Sequence, residues 1–519
     1  MATGKRQAHS TKSTRRREIV KTLSRHGLGY LVDRVHTREP SPTRPEHVRQ
    51  ALEELGPTFV KLGQIVSTRS DLLPPEYIAE LGKLQDHAPP VSSDAVRSVV
   101  THELGRELPE VFATFDGVPL AAASIGQAHA ATLPDGTDVV VKVRRPGVVE
   151  QVELDLEILQ DLASRAERHS EKAAEYGVLA LAEEYAETLR AELDYLKEGR
   201  NADTFADNFA GDAGVHIPRI YWETTTSRVL TMERIRGIKA DDLDALDAAD
   251  IDRRELARGA TRICAQMIFE DGLFHGDPHP GNFFVEEGGR IALVDFGLVG
   301  TLSDRARDQL GELLIAFTGH DADRLTDAVL ALGVARHRVD RGELRSDIES
   351  FLGRYAGVGL GEISITRVLN EATAIMRRHR LQLPRDLALL LKVLVMEEGL
   401  GASLVPDYEL DAELAPYARK LIAREHAPEM VQRRLLASSA DAGRLAVDLP
   451  QHLRRLLRVA EDGDLRLRVT SEDLQALGGR VGRAGNTIAA AVIAAAVIEA
   501  GAGLFAANRR HPHRRRRRR

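Results

Sequence analysis

Apolar residues recur at helical spacing over most of this chain and at strand spacing over a short early stretch. Residues 46–70 read as a helical stretch carrying Lys61-Leu62-Gly63-Gln64, ended by Leu72-Leu73-Pro74-Pro75. A short helix from Tyr77 to Gln85 follows, before Pro89-Pro90. Strand-like pieces come next, Val118–Ala130 and Asp138–Val143, the second after the turn Pro134-Asp135-Gly136-Thr137. Pro146-Gly147 opens a helix to about Arg168, with Val148, Val152, Leu156, Leu159 and Leu162 on one stripe. A second helix spans about Leu179–Asn208. Strand signals at Ile217–Trp222 and Arg228–Ile235 precede a mostly helical remainder from Arg253. That remainder is interrupted by a loop at 273–283 and a hairpin, Phe283–Val285 with Ile291–Val294, turned at Glu286-Glu287-Gly288-Gly289. Strands early and helices late predict an α+β body of two lobes, with a ligand site between them.

Composition narrows the class. The chain has 519 residues, 43% hydrophobic and 29% charged, with mean hydropathy −0.24. These values exclude a polytopic membrane protein, a disordered chain and a collagen-like fibre. One cysteine, Cys264, cannot form an internal disulfide and provides no cysteine cluster for zinc or iron–sulfur, and its apolar surroundings predict a packed core thiol. The net charge of −7 is uneven: residues 1–17 hold six basic residues and 509–519 hold eight arginines, neither with an acid. The segment 18–508 then carries 57 basic against 78 acidic residues, or −21. An acidic body with basic ends is not a folded nucleic-acid groove, so no specific nucleic acid is expected, although the ends could touch anionic lipid. No apolar stretch follows the N-terminal charges, which reads against a cleaved secretory signal.

The strongest chemical signal is Phe274-His275-Gly276-Asp277-Pro278-His279-Pro280-Gly281-Asn282, followed by Leu293-Val294-Asp295-Phe296-Gly297. Phosphoryl transfer needs oxygen ligands for Mg²⁺ and a carboxylate near the attacking hydroxyl or water. Asp277 suits the second role; Asn282, five residues on, and Asp295 suit metal ligation. The order and spacing reproduce the kinase pattern His-x-Asp-x-x-x-x-Asn … Asp-Phe-Gly. Pro278 and Pro280 forbid the regular helix that an i,i+4 metal pair of His275 and His279 would need. Upstream, Lys142 sits inside the apolar run Val139–Val143, where a lysine is costly unless paired. In kinases that strand lysine contacts the nucleotide phosphates and a helical glutamate. Glu192, Asp194 and Glu198 are the candidate acids, Asp194 and Glu198 sharing one helical face and Glu192 lying off it. Where a kinase carries its glycine-rich phosphate loop stands Ala121-Ala122-Ala123-Ser124.

With these motifs in place the chain resembles the UbiB/ADCK family of atypical kinase-like proteins, over roughly residues 45–485. Lys61–Gln64 matches its KxGQ, Ala121–Ser124 its alanine loop, and Glu192-Leu193-Asp194 its ExD; Lys142, Glu198, Asp277, Asn282 and Asp295 complete the set. The resemblance implies a bilobal protein-kinase-like fold whose N-terminal KxGQ helices cover the substrate entrance. It implies ATP and Mg²⁺ as cofactors, and ATP hydrolysis or small-molecule phosphorylation. It further implies a part in isoprenoid-quinone (ubiquinone-type) biosynthesis or lipid homeostasis at a bacterial inner membrane, on its cytoplasmic face. Lys142, Glu198 and Asp277 are the expected catalytic residues. Lys61 and Gln64 are expected to enter the nucleotide site near Glu192 and Asp194, with Glu192 serving Lys61 and Glu198 serving Lys142 from one helix. The segment Val229–Glu233 resembles the hinge, whose backbone would read adenine. A helix starting by about Ser303 leaves no room for a peptide platform, and no Ala-Pro-Glu follows.

The expected divisions are a disordered basic tail (1–40), a KxGQ helical extension (41–117), a kinase-like N-lobe (118–236), a helical C-lobe (237–450) and a C-terminal segment (451–519). In the last, Thr487–Ala507 offers 21 mostly apolar positions with one charge, Glu499. At about 1.5 Å per residue these reach roughly 31 Å, enough to cross a bilayer. A simple span would put Arg509–Arg519 outside, against the positive-inside rule, so membrane association through a shallow hairpin, an interfacial helix or an oligomeric bundle is favoured. Expected partners are nucleotide, a membrane lipid or isoprenoid-quinone precursor, quinone-biosynthesis enzymes and a second copy of the chain. Two rival functions stay open: a nucleotide-binding pseudokinase scaffold and a soluble small-molecule phosphotransferase.

Overall fold

A computed structural model describes residues 2–27, 44–84, 89–335, 338–356 and 364–425. Thr487–Ala507 and the arginine tail lie outside them. No helix among the described residues is long and apolar enough to cross a membrane.

Among the described residues six helices precede the sheet: α1 (Ala2–Arg25), α2 (Pro45–Leu55), α3 (Pro57–Val66), α4 (Pro75–Leu81), α5 (Ser93–Leu104) and α6 (Leu108–Val111). Strands β1 (Thr114–Ala122), β2 (Gly126–Thr132) and β3 (Asp138–Arg144) follow, then helices α7 (Val148–His169), α8 (Glu171–Tyr176), α9 (Val178–Glu192) and α10 (Tyr195–Asn208). The two-residue β4 (Val215–His216) and then β5 (Val229–Glu233) come next, the latter completing an antiparallel sheet of order β1-β2-β3-β5. Alternation on β3 orients the lobe: Val139, Val141 and Val143 are buried against Val96 and Val100 of α5, so Val140 and Lys142 take the opposite face.

The second lobe begins with β6 (Ile238–Lys239), α11 (Leu243–Ala248) and α12 (Arg253–Ala265). Short strands β7 (Leu273–His275), β8 (Phe283–Val285), β9 (Ile291–Leu293) and β10 (Val299–Thr301) carry the loops of the site. They form a sheet of order β4-β9-β8-β6 and a β10-β7 pair. Helices α13 (Asp304–Thr318), α14 (Ala322–Leu332), α15 (Arg341–Arg354), α16 (Ile365–Arg378), α17 (Arg385–Leu404) and α18 (Leu410–Glu425) complete the described chain. Cys264 lies in the core, as its surroundings predict.

The KxGQ helix α3 packs Leu62 and Ile65 onto Val152 and Leu156 of α7 and Leu189 of α9. Its Gly63 permits close approach: a Cβ there would lie 2.2 Å from Leu84 Cδ1 and 2.8 Å from Leu52 Cδ1. The loop after α3 is pinned to the second lobe by a buried ion pair. Arg69 donates to both carboxylate oxygens of Asp71, at 2.9 and 2.8 Å, and to the Leu383 carbonyl at 3.3 Å. Leu383 N–H returns a 2.9 Å bond to Asp71.

Three expectations are corrected. The N-terminal tail is not disordered throughout: in α1, Ile19 is fully buried with Leu55, Phe59 and Ile158, and Arg15 donates twice to the buried Asp155, at 2.8 and 3.0 Å. The single strand Val118–Ala130 is two strands, β1 and β2, joined by a turn closed by the Ala123 N–H on the Gly126 carbonyl at 2.8 Å. The single helix Leu179–Asn208 is two, because Asp194 leaves helical geometry and caps α10, its side chain accepting the Leu196 N–H.

Candidate active site

Lys142 reaches out of the middle of β3, opposite Ala128 on β2 and Leu230 on β5. Its ammonium is bonded to Glu198, one turn into α10, and lies 3.3 Å from Asp295 Oδ1. Burial alone would lower the ammonium pKa. The carboxylates of Asp295 and Glu198 outweigh it and hold Lys142 above its ordinary value, so it stays charged. Asp295 is pulled down to about 2, first by Lys142 and, against the opposing effect of burial, by Lys61 as well. Its side chain remains about half exposed and it adopts φ 66°, a left-handed conformation uncommon outside glycine.

The following Phe296 anchors this turn. It is buried against Phe205 and His275, with ring centroids 5.1 and 5.6 Å away, and Asn201 of α10 donates to its carbonyl at 2.9 Å. One helix therefore holds both Glu198 and the Asp-Phe-Gly turn.

His275 braces the other loop. Nε2 faces the Val294 carbonyl at 3.1 Å and Nδ1 accepts the Asp277 N–H at 3.1 Å. Burial lowers its pKa, which suits a neutral ring donating at one nitrogen and accepting at the other. Asn282 donates from its side-chain amide to the Asp277 carbonyl at 3.0 Å, which commits its nitrogen and leaves its oxygen as the ligand atom. Asp277 Oδ1 takes a 2.8 Å ion pair from Lys392 of α17. Sequence reading missed Lys392. Its signal was a lone charge in the apolar run Leu387–Met396.

The KxGQ residues divide. Lys61 meets Glu192 at 3.5 Å, so each lysine takes the acid expected for it, but from the end of α9 and the start of α10 rather than from one helix. Gln64 does not join Glu192 or Asp194; it donates to the Leu84 carbonyl at 3.1 Å. Asp194 is spent on its cap and lies 3.9 Å from Arg200.

The alanine segment also divides. Ala121 and Ala122 belong to β1, paired with Ala128 and Gln127, while Ala123 and Ser124 form the turn, with Ser124 buried. Arg145 Nε donates to the Ala123 carbonyl at 2.7 Å. At the hinge, the Glu233 N–H is given to the Arg219 carbonyl at 2.8 Å, and its carboxylate faces His216 at 3.3 Å. A donor to adenine would come from another residue of that segment.

The donor set suits magnesium. Asp295 offers an ionised, half-exposed carboxylate and Asn282 an amide oxygen. Among the described residues no group of three or more His, Cys, Asp or Glu could hold a metal. A hard cation at these two side chains would take its remaining ligands from phosphate and water.

Residues 83–329 match the ABC1 atypical kinase-like domain, and residues 348–409 match the UbiB helical domain. An uncharacterized Synechocystis protein, sll1770, is 35% identical over 458 residues, covering 88% of this chain and 78% of its own. A protein named probable protein kinase UbiB, from Xanthomonas campestris, is 35% identical, covering 86% of this chain and 82% of its own. Among solved structures, the Mycobacterium tuberculosis Rv3197–erythromycin complex is 26% identical with TM-score 0.48, covering 72% of this chain and 93% of that one.

Proposed function

The chain belongs to the UbiB family of atypical kinase-like proteins, and from that premise we propose that it is an ATPase or small-molecule kinase acting on Mg·ATP. The observation that carries this reading is Lys142 held between Glu198 and Asp295 while Asp277 stands on the neighbouring loop. Magnesium at Asp295 and Asn282 would neutralise phosphate charge. Lys142, fixed by Glu198, would bind the nucleotide phosphates. Asp277 would take the proton of an acceptor hydroxyl or water as the new O–P bond forms and ADP departs with the electrons of the broken bond.

A small acceptor or water is favoured because only residues 298–303 separate Gly297 from α13, whose start is capped by Ser303. That leaves no platform for a peptide. The UbiB name of the Xanthomonas campestris relative, and the apolar composition of Thr487–Ala507, favour a quinone-type or lipid acceptor at a bacterial membrane. The discriminating experiment is ATP turnover by the full chain with Mg²⁺, with and without vesicles of anionic phospholipid. Turnover stimulated by vesicles is the expected result; equal rates would remove the membrane part, and no Mg²⁺-dependent turnover would remove the enzymatic part.

A nucleotide-binding scaffold is the second reading, favoured by the closed β1–β2 turn, which Arg145 also ties through the Ala123 and Ile125 carbonyls. Stoichiometric nucleotide binding without turnover would establish the scaffold, and turnover beside binding the enzyme; Ala123→Gly tests where the turn lies. Removing this Cβ costs about 0.5–1 kcal/mol of backbone entropy and opens left-handed conformations. If the turn lies on the phosphates, nucleotide affinity or ATP/ADP preference shifts by up to about tenfold (about 1.4 kcal/mol) with little loss of thermal stability. Parental binding of both nucleotides would make the turn merely structural.

A further inference from the structure

We infer that Lys392 is a positioning residue for Asp277, so that the helical region 348–409 completes a site otherwise built from residues 83–329 and the KxGQ extension. The inference rests on the phosphoryl-transfer reading above. Lys392 Nζ lies 2.8 Å from Asp277 Oδ1, and both side chains are partly exposed, at 22% and 44%. The pair crosses from one matched domain to the other.

The helix that carries Lys392 is seated directly on the catalytic loop. A Cβ on Gly276, next to Asp277, would lie 2.9 Å from Leu389 Cδ2 and 2.8 Å from Leu298 Cγ. Leu389, Leu390 and Val393 are buried around it, and Thr301 at the end of β10 donates to Asp386 in the first turn of α17 at 3.2 Å. The lysine therefore approaches Asp277 from a rigid element rather than a mobile loop.

The site has few other sources for this charge. Residues 278–281, Pro-His-Pro-Gly, bring no lysine or arginine. Lys142 is engaged by Glu198 and Asp295, and Lys61 by Glu192. A charge-assisted bond to Oδ1 fixes the carboxylate in one rotamer and leaves Oδ2 to receive the acceptor proton. A partly exposed ion pair contributes little to folding, so its removal should be felt in turnover before it is felt in stability.

The test uses the full chain, with Mg·ATP turnover, nucleotide affinity and thermal midpoint measured for the parent, Lys392→Met and Lys392→Arg. Lys392→Met should lower kcat by roughly 10–100-fold, as expected for a misplaced reacting group. KM for Mg·ATP should stay within about twofold and the midpoint within the experimental error, and Lys392→Arg should recover most of kcat because it restores the charge and a hydrogen bond. Parental kcat in Lys392→Met would overturn the inference. So would a joint loss of affinity and midpoint that arginine does not repair, which marks a structural strut. A parent without turnover would instead remove the proposed function, and this inference with it.

Discussion

Asp277→Asn is expected to bind Mg·ATP as tightly as the parent and to turn it over roughly 10²–10⁴-fold more slowly, the range for loss of a positioned general base. The substitution keeps size and shape. It leaves the backbone bonds that build the loop intact, since the Asp277 N–H still reaches His275 and its carbonyl still receives the Asn282 amide. What changes is the capacity to accept a proton and the ion pair with Lys392. Single-turnover kinetics beside equilibrium nucleotide binding would measure both halves. A folded variant with parental turnover would take Asp277 out of the chemistry. Lost nucleotide binding would move it to the phosphate side of the site.

The second large effect lies far from the chemistry in sequence. Asp71→Ala should destabilise the described fold by up to about 3–5 kcal/mol, because it takes both short carboxylate bonds from the buried Arg69 guanidinium and leaves it only Glu184 as counter-charge, at 3.6 Å. Arg69 and Asp71 are 6% and 2% exposed, and Asp71 also receives the Leu383 N–H that ties the extension to the α16–α17 connection. Calorimetry should show a fall of several degrees in the thermal midpoint. Replacing both partners by apolar residues, Arg69→Met with Asp71→Leu, should recover part of the loss. A midpoint unchanged in Asp71→Ala would mean that the latch contributes nothing. Since the same extension brings Lys61 to Glu192, loosening it should also weaken nucleotide binding.

Much of this site is legible in the chain because its signals are local. The helix after Pro146-Gly147 ends within a residue of its expected limit, and the 283–294 hairpin stands where its turn places it. The β3 alternation that buries three valines is also what turns Lys142 to the other face. The misses have physical causes. Leu193 and Tyr195 continue the apolar stripe through the break between α9 and α10, so periodicity could not see Asp194 acting as a cap. Strand-like periodicity runs on through Ala121–Gly126, so only the motif's resemblance to a phosphate loop pointed to the turn that divides β1 from β2.

Long-range pairing was invisible in a different way. Arg15 reads as one more charge in a basic tail until Asp155, 140 residues on, is found buried beneath it. Ile19 and Leu23, four apart, were the local hint of a packed helix. Lys392 meets Asp277 across 115 residues, and nothing near either residue announces the other. Gln64 shows the converse: its motif pointed to the acids, and its amide went to a nearby carbonyl.

Lys142, Asp295 and Asn282 are proposed to form a Mg·nucleotide site. Titration calorimetry of ATP into the full chain, with and without Mg²⁺, against Asp295→Asn, tests it most directly. An amide replaces the anionic oxygen that a hard cation prefers. The expected result is Mg²⁺-dependent binding by the parent, lost in a variant whose thermal midpoint shows it folded. Equal Mg·ATP affinity in parent and variant, or binding indifferent to Mg²⁺ in both, would contradict the account.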